Sequence, residues 1–166
     1  LDMTRLGHQG LTLSRAWIGA DELIGSATQR LKRYQPEVKI KVALAEELPQ
    51  LYVHPALIEQ AIFNVLENAA KFSPENVPIE VKIQQDEQFL QIDIIDQGIG
   101  IPDDEREQIF DMFYTMQRGD RGKMGTGLGL AIVKAIIGAH MGSIEAFAGT
   151  DGQGTLIRIR LPLYQG

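Results

Sequence analysis

The spacing of apolar residues divides the chain into helical and extended segments. Ala20 to Tyr34 carries Leu23, Ile24, Ala27 and Leu31 on one stripe at the helical period, and Pro36 stops it. A short extended piece around Arg15 to Ile18 precedes it. Val38 to Leu44 alternates with period two, and Pro49 to Val53 reads as a second short strand. The clearest helix has His54 as cap and Pro55 at its first position, and it runs to Phe72 before "SPENVP" breaks it. Two alternating runs follow, Ile79–Gln85 and Phe89–Ile95, joined as a hairpin by Asp86-Glu87-Gln88. After "DQGIGIP" a short helix is expected over Asp103 to Phe110, then a long loop, Phe113 to Thr126. Leu128 to His140 is nearly all apolar and predicts a well-buried helix. "SIEAFAG" and "TLIRIRLP" close the pattern as a hairpin around "TDGQG". The expected fold is one α+β domain, a two-layer sandwich with about three long helices on one face of a mixed, mostly antiparallel sheet. In front of it, Leu1 to Leu6 reads as the last turns of a helix ended by Gly7 and Gly10.

Composition narrows the classes. The 166 residues, 44% hydrophobic and 23% charged, suit one globular domain and exclude wholesale disorder. The absence of cysteine removes disulfide frameworks and thiolate metal sites. A net charge of −6 argues against a nucleic-acid-binding surface. No apolar run approaches the roughly 18 residues of a membrane span, so membrane contact by this domain is not expected. A first residue of Leu rather than Met leads to the expectation of a piece cut from a longer protein.

Three stretches carry candidate chemistry. On the Pro55 helix, Gln60, Asn64, Glu67, Asn68 and Lys71 fall within an arc of about 100°. Ala61, Ile62, Val65, Leu66, Ala69 and Phe72 take the other side. Two asparagines at i and i+4 cost helix stability, and a carboxamide oxygen suits Mg²⁺ while a lysine one turn on suits phosphate. The plain alternative is an amphipathic helix with Asn–Asn and Glu67–Lys71 surface pairs. "DQGIGI", Asp96 to Ile101, places a carboxylate at the end of an apolar strand, where it could accept from an exocyclic amine; the alternative is an ordinary strand-to-helix turn. "GTGLGL" aims free backbone N–H groups and a helix dipole at one spot, which is an anion site or else a structural glycine turn. It lacks the Gly-Lys-Ser/Thr closure of a Walker A loop and follows a long loop instead of a buried strand.

In order, these stretches resemble the ATP-binding catalytic domain of sensor histidine kinases, within the wider gyrase/Hsp90/histidine-kinase/MutL superfamily. "NVLENAAKFSP" is similar to the N box, "DQGIG" to the G1 box, "IFDMFY" to the F box and "GTGLGLAI" to the G2 box. The opening "LDMTRL" and the N box look most like the potassium-responsive, KdpD-type sensor kinases. The resemblance spans about Trp17 to Leu163 and implies a Bergerat-type fold that binds ATP and Mg²⁺.

Carried over position by position, the resemblance implies that Asn68 ligates Mg²⁺, that Asn64 supports the metal and phosphate site, and that Lys71 contacts phosphate. Phe72 stands beside the nucleotide, Asp96 accepts from the adenine amine, and Gly98, Gly100 and Ile101 bring their loop to the base. Phe113, Gly125, Thr126, Gly127, Leu128 and Gly129 frame the ATP lid and the phosphate end. Many family members have arginine after the F-box aromatics, where this chain has Thr115; Arg118, Arg121 or Lys123 stands in for it, or these residues form a solvated basic loop. The hydrolysing branch carries a glutamate where Asn64 stands, and an amide is no general base; Glu67 is the alternative carboxylate.

None of the three histidines reads as a phosphoacceptor. His8 lies outside any acceptor-like motif, His54 reads as a cap, and His140 reads as a cation at a helix C-terminus. The resemblance therefore implies that residues 1–10 are the end of a dimerisation-domain helix with its linker, and that 11–166 form the catalytic domain. The expected partners are the dimerisation and phosphoacceptor domain of the same homodimeric kinase and a response regulator. The expected location is the cytoplasmic side of an inner-membrane-anchored kinase. The rivals are an ATPase of the gyrase/Hsp90/MutL branch, a serine kinase acting on anti-sigma-factor partners, and a nucleotide-binding or docking module whose catalysis has decayed.

Overall fold

A computed structural model describes residues 14–44, 47–111, 129–149 and 152–163. Its elements are β1 (Ala16–Gly19), α1 (Ala20–Tyr34), β2 (Ile40–Leu44), β3 (Gln50–Val53), α2 (Pro55–Phe72), β4 (Ile79–Gln85), β5 (Phe89–Asp96), α3 (Gly129–Ala139), β6 (Ser143–Ala148) and β7 (Thr155–Pro162). Five strands form the main sheet in the order β2-β4-β5-β7-β6. β2 runs parallel to β4, and the other pairs are antiparallel. β1 and β3 make a separate antiparallel ribbon. The helices cover one face of the main sheet, so the expected two-layer α+β arrangement is the one found.

Strand register explains the core. Val81 lies beside Ile94 and Ile94 beside Ile157, while Ile83, Ile92 and Ile159 form the next row. All six are buried, and Ile58, Ile62, Val65 and Leu66 of α2 are buried in the same core, with Ile24 and Leu31 of α1 and Ile136 of α3. Each such aliphatic side chain contributes about 1.5–3 kcal/mol on burial, so α2 is the spine against which the sheet is held. On the opposite face, Asp93 and Arg158 sit directly across from each other and pair through two hydrogen bonds of 2.9 and 3.2 Å.

Three expectations change. Asp103 to Phe110 is not one helix but two 3-10 turns, Asp103–Glu105 and Gln108–Phe110. Eight residues are too few to repay α-helix nucleation, and the segment instead buries Ile109 and Phe110. The apolar α3 is not buried all round: Val133, Ile136 and Ile137 are covered, while Lys134 and Gly138 are exposed. Trp17 is 52% exposed, with its ring 5.2 Å from that of Tyr52 across the β1–β3 ribbon.

The third change concerns His140, which is buried and neutral, not a cation held by the helix C-terminus. The His54 N–H donates to Nε2 at 3.1 Å, so Nε2 must accept. Nδ1 then carries the hydrogen and donates to the Ile136 carbonyl at 2.8 Å. Burial lowers the imidazole's pKa. His54 caps α2 as expected, its Nδ1 accepting from the Leu57 N–H at 3.2 Å. The stub at residues 1–10 lies outside the described residues.

Candidate functional site

The site is built at three places: the end of β5, the C-terminal half of α2, and the start of α3. β5 ends at Asp96, opposite Thr155 on the core side of the sheet. Its side chain is only 5% exposed. Burial raises the carboxyl pKa to about 6, while the backbone N–H groups of Gly98 and Thr155 draw it back down. The Gly98 N–H donates to Oδ1 at 2.9 Å, which folds the "DQGIG" loop back over its own carboxylate.

Gly98 also presses against α2. A Cβ there would stand 2.4 Å from the Phe72 carbonyl oxygen, so only glycine lets the loop meet the helix end. Ser73, the C-cap residue next to Phe72, has its hydroxyl buried without a hydrogen-bond partner among the described residues. On the other side Gly154 adopts φ +71°, and a Cβ there would meet the Asp96 carbonyl oxygen at 2.0 Å. The carboxylate is held by the Gly98 and Thr155 backbone N–H groups, while close backbone contacts at Gly98 and Gly154 fix the chain on either side of it. Gly100 and Ile101 follow in the same loop, half-buried, with Ile101 against the core.

The polar arc of α2 is largely engaged. Gln60 donates from Nε2 to Asn64 Oδ1 at 2.7 Å, and Asn64 Nδ2 donates to the Gly129 carbonyl at 3.3 Å. Asn64 and the first residue of α3 are thereby brought together. Asn68 is half-buried, and its amide makes no hydrogen bond among the described residues. Lys71 Nζ lies 5.5 Å from the centroid of the Phe72 ring. Glu67 is exposed, in contrast to the half-buried Asn64 and Asn68 on either side of it. Phe113, Arg118, Arg121, Lys123, Gly125, Thr126, Gly127 and Leu128 lie outside the described residues.

Among the described residues no three His, Asp or Glu side chains gather as a metal cluster. A divalent ion with hard-oxygen preference would instead take an uncommitted carboxamide such as that of Asn68, with ligand oxygens and water completing its shell. The donor chemistry fits Mg²⁺. Sequence reasoning missed Gly154, Thr155 and Arg30. The turn "TDGQG" signalled the first of them, but only β5–β7 register puts it against Asp96.

The family model described as "Histidine kinase-, DNA gyrase B-, and HSP90-like ATPase" matches residues 53–165. The sensor protein KdpD of Clostridium acetobutylicum is 36% identical over 163 residues, covering 98% of this chain and 18% of that protein. The chain thus spans about a fifth of that relative's length. The mycobacterial sensor histidine kinase MprB superposes with a TM-score of 0.79 at 31% identity, covering 90% of this chain and 97% of that one. Full-length ShkA in complex with AMPPNP shares the fold, with a TM-score of 0.82 at 24% identity over 99% of this chain and 34% of ShkA. The chain belongs to the histidine kinase-, DNA gyrase B- and HSP90-like ATPase family, as a histidine kinase ATP-binding catalytic domain.

Proposed function

We propose that this catalytic domain holds Mg²⁺–ATP between α2, the Asp96 loop and the start of α3, and donates the γ-phosphoryl group to a histidine on a separate dimerisation domain. A response regulator then takes the phosphoryl group onto aspartate. The carrying observation is the buried, clamped carboxylate of Asp96. A carboxylate held at such desolvation cost, with one oxygen committed to Gly98, leaves an acceptor that suits the adenine amine.

Asn68, whose amide has no hydrogen-bond partner among the described residues, offers its oxygen to Mg²⁺, and Lys71 a point charge to phosphate. Mg²⁺, when bound, neutralises charge on the phosphates. Phosphoryl transfer needs alignment and charge stabilisation more than covalent help from the protein, which matches a site of amides, backbone N–H groups and one lysine. Asn64 cannot take a proton from water, because an amide is no general base, so futile hydrolysis stays slow. Neither described histidine is a phosphoacceptor: His54 is a cap, and His140 is buried with both ring nitrogens engaged.

Within this reading, residues 1–10 close a dimerisation helix and 11–166 form the catalytic unit of a homodimeric kinase. The unit works on the cytoplasmic side of an inner membrane. Among the described residues no helix is long and apolar enough to cross a membrane.

The test is calorimetric titration with a non-hydrolysable ATP analogue, with and without Mg²⁺, on wild type and Asn68→Ala. Saturable binding whose Mg²⁺ dependence vanishes in the variant supports the site. Mixing the domain with an acceptor-domain fragment and ATP then gives acid-labile phosphohistidine. Binding without any phosphohistidine points to a docking module, and steady phosphate release by the domain alone points to an ATPase.

A further inference from the structure

A chain of side-chain hydrogen bonds runs from α1 to α3 across the polar arc of α2. Arg30 Nη1 donates to Gln60 Oε1 at 2.8 Å. Gln60 Nε2 donates to Asn64 Oδ1 at 2.7 Å, and Asn64 Nδ2 donates to the Gly129 carbonyl at 3.3 Å. A carboxamide can usually sit either way round, since its oxygen and nitrogen have the same shape. Here both ends of the chain are fixed in polarity. A guanidinium has donors only, and a carbonyl oxygen accepts only. With Arg30 at one end and the Gly129 carbonyl at the other, every amide between them has one satisfied orientation.

We propose that Arg30, on α1, is a positioning residue for the phosphate end of the site. Through Gln60 it fixes the orientation of the Asn64 carboxamide. Asn64 then turns its oxygen back along α2 and presents its N–H donors toward the start of α3, where an anion would sit. This rests on the nucleotide reading above and adds a specificity to it: Asn64 is a donor to phosphate, leaving metal ligation to Asn68.

Arg30 is well placed for such a role. Its guanidinium lies 3.9 Å from the centroid of the Phe63 ring and 3.9 Å from Glu59 Oε2, so it is held from three sides. Inverting Asn64 would set its oxygen against the Gly129 carbonyl and would aim a lone pair at the anion.

Two substitutions at residue 60 test the relay. Gln60→Glu keeps the shape and still accepts from Arg30, but it cannot donate to Asn64. Gln60→Leu removes the donor without adding charge. The first readout is the NMR side-chain amide of Asn64 in the uncomplexed domain. Its Nδ2 hydrogens should show contacts to α3 in wild type and to residue 60 in Gln60→Glu. The second readout is affinity for ADP against adenosine. Both variants should lose about tenfold for ADP, the value of one hydrogen bond to a charged group, and little for adenosine. Arg30→Met should share the ADP loss, and Arg30→Lys, still a donor-only cation, should recover most of it.

Unchanged Asn64 contacts in Gln60→Glu, with ADP affinity within twofold of wild type, overturn the relay. So does an Arg30→Met variant that keeps both the contacts and the affinity. If wild type binds neither ADP nor adenosine, the nucleotide reading fails, while the amide contacts still report whether the relay exists.

Discussion

Replacing Asp96 with asparagine should make the domain more stable while depriving it of nucleotide. In the folded protein burial lifts this carboxyl from 3.8 to about 6. A carboxylate whose folded pKa is raised binds its proton more tightly in the native state than in the unfolded chain. Its penalty is therefore absent below about pH 4, grows as pH rises through 4 to 6, and is constant above that. A shift of that size corresponds to about 3 kcal/mol, an upper figure because the unfolded chain also shields some groups. Asparagine keeps an oxygen that can accept from Gly98, so that contact survives. Its amide nitrogen, however, is a donor facing the place of the adenine amine.

Equilibrium urea unfolding, run near pH 7.5 and near pH 4.5, reads the effect directly. Asp96→Asn should gain about 1–3 kcal/mol over wild type at the higher pH and about a third of that at the lower. Adenosine affinity should fall at least tenfold at the higher pH, the loss expected when an acceptor is replaced by an opposed donor. A variant less stable than wild type at both pH values would refute the reasoning, because the carboxylate would then be a net stabiliser. Retained adenosine affinity would refute its role as the base acceptor.

Two further outcomes follow from the same contacts. Gly98→Ala forces a Cβ to 2.4 Å from the Phe72 carbonyl oxygen; it should cost about 1–3 kcal/mol in urea unfolding and weaken adenosine binding, whereas an Ala at Gly129, where a Cβ meets nothing within 4 Å, should leave stability nearly unchanged. His140, with its folded pKa below 6.5, binds its proton less well than the unfolded chain does. Stability should therefore fall as pH drops below about 6.5, and His140→Gln should flatten that part of a thermal-unfolding pH profile.

Much of the fold was legible because its signals are local. The stripe Leu23, Ile24, Ala27 and Leu31 and the stop at Pro36 mark α1, whose observed bounds are Ala20–Tyr34. His54 and Pro55 mark the start of α2, and strict alternation marks β4, β5 and β7. The same local signals misjudged Asp103 to Phe110, where chain length defeats propensity, and His140, where burial defeats the dipole. An apolar segment such as α3 predicts burial in general, not which stripe a neighbour covers.

By itself the sequence determined which residue types stand at the ends of which elements: Asp96 after an apolar strand, asparagines along one helix face, glycines before the last helix. Those are properties of spacing, and spacing is written in the chain. Only the tertiary structure decided that the Gly98 backbone lies against Phe72, and Gly154 against Asp96. It alone decided that an arginine 34 positions before Asn64 governs which way that amide faces. Such contacts join residues far apart in sequence through strand register and helix packing. The orientation of a carboxamide depends on what donates and accepts around it, which no single segment specifies.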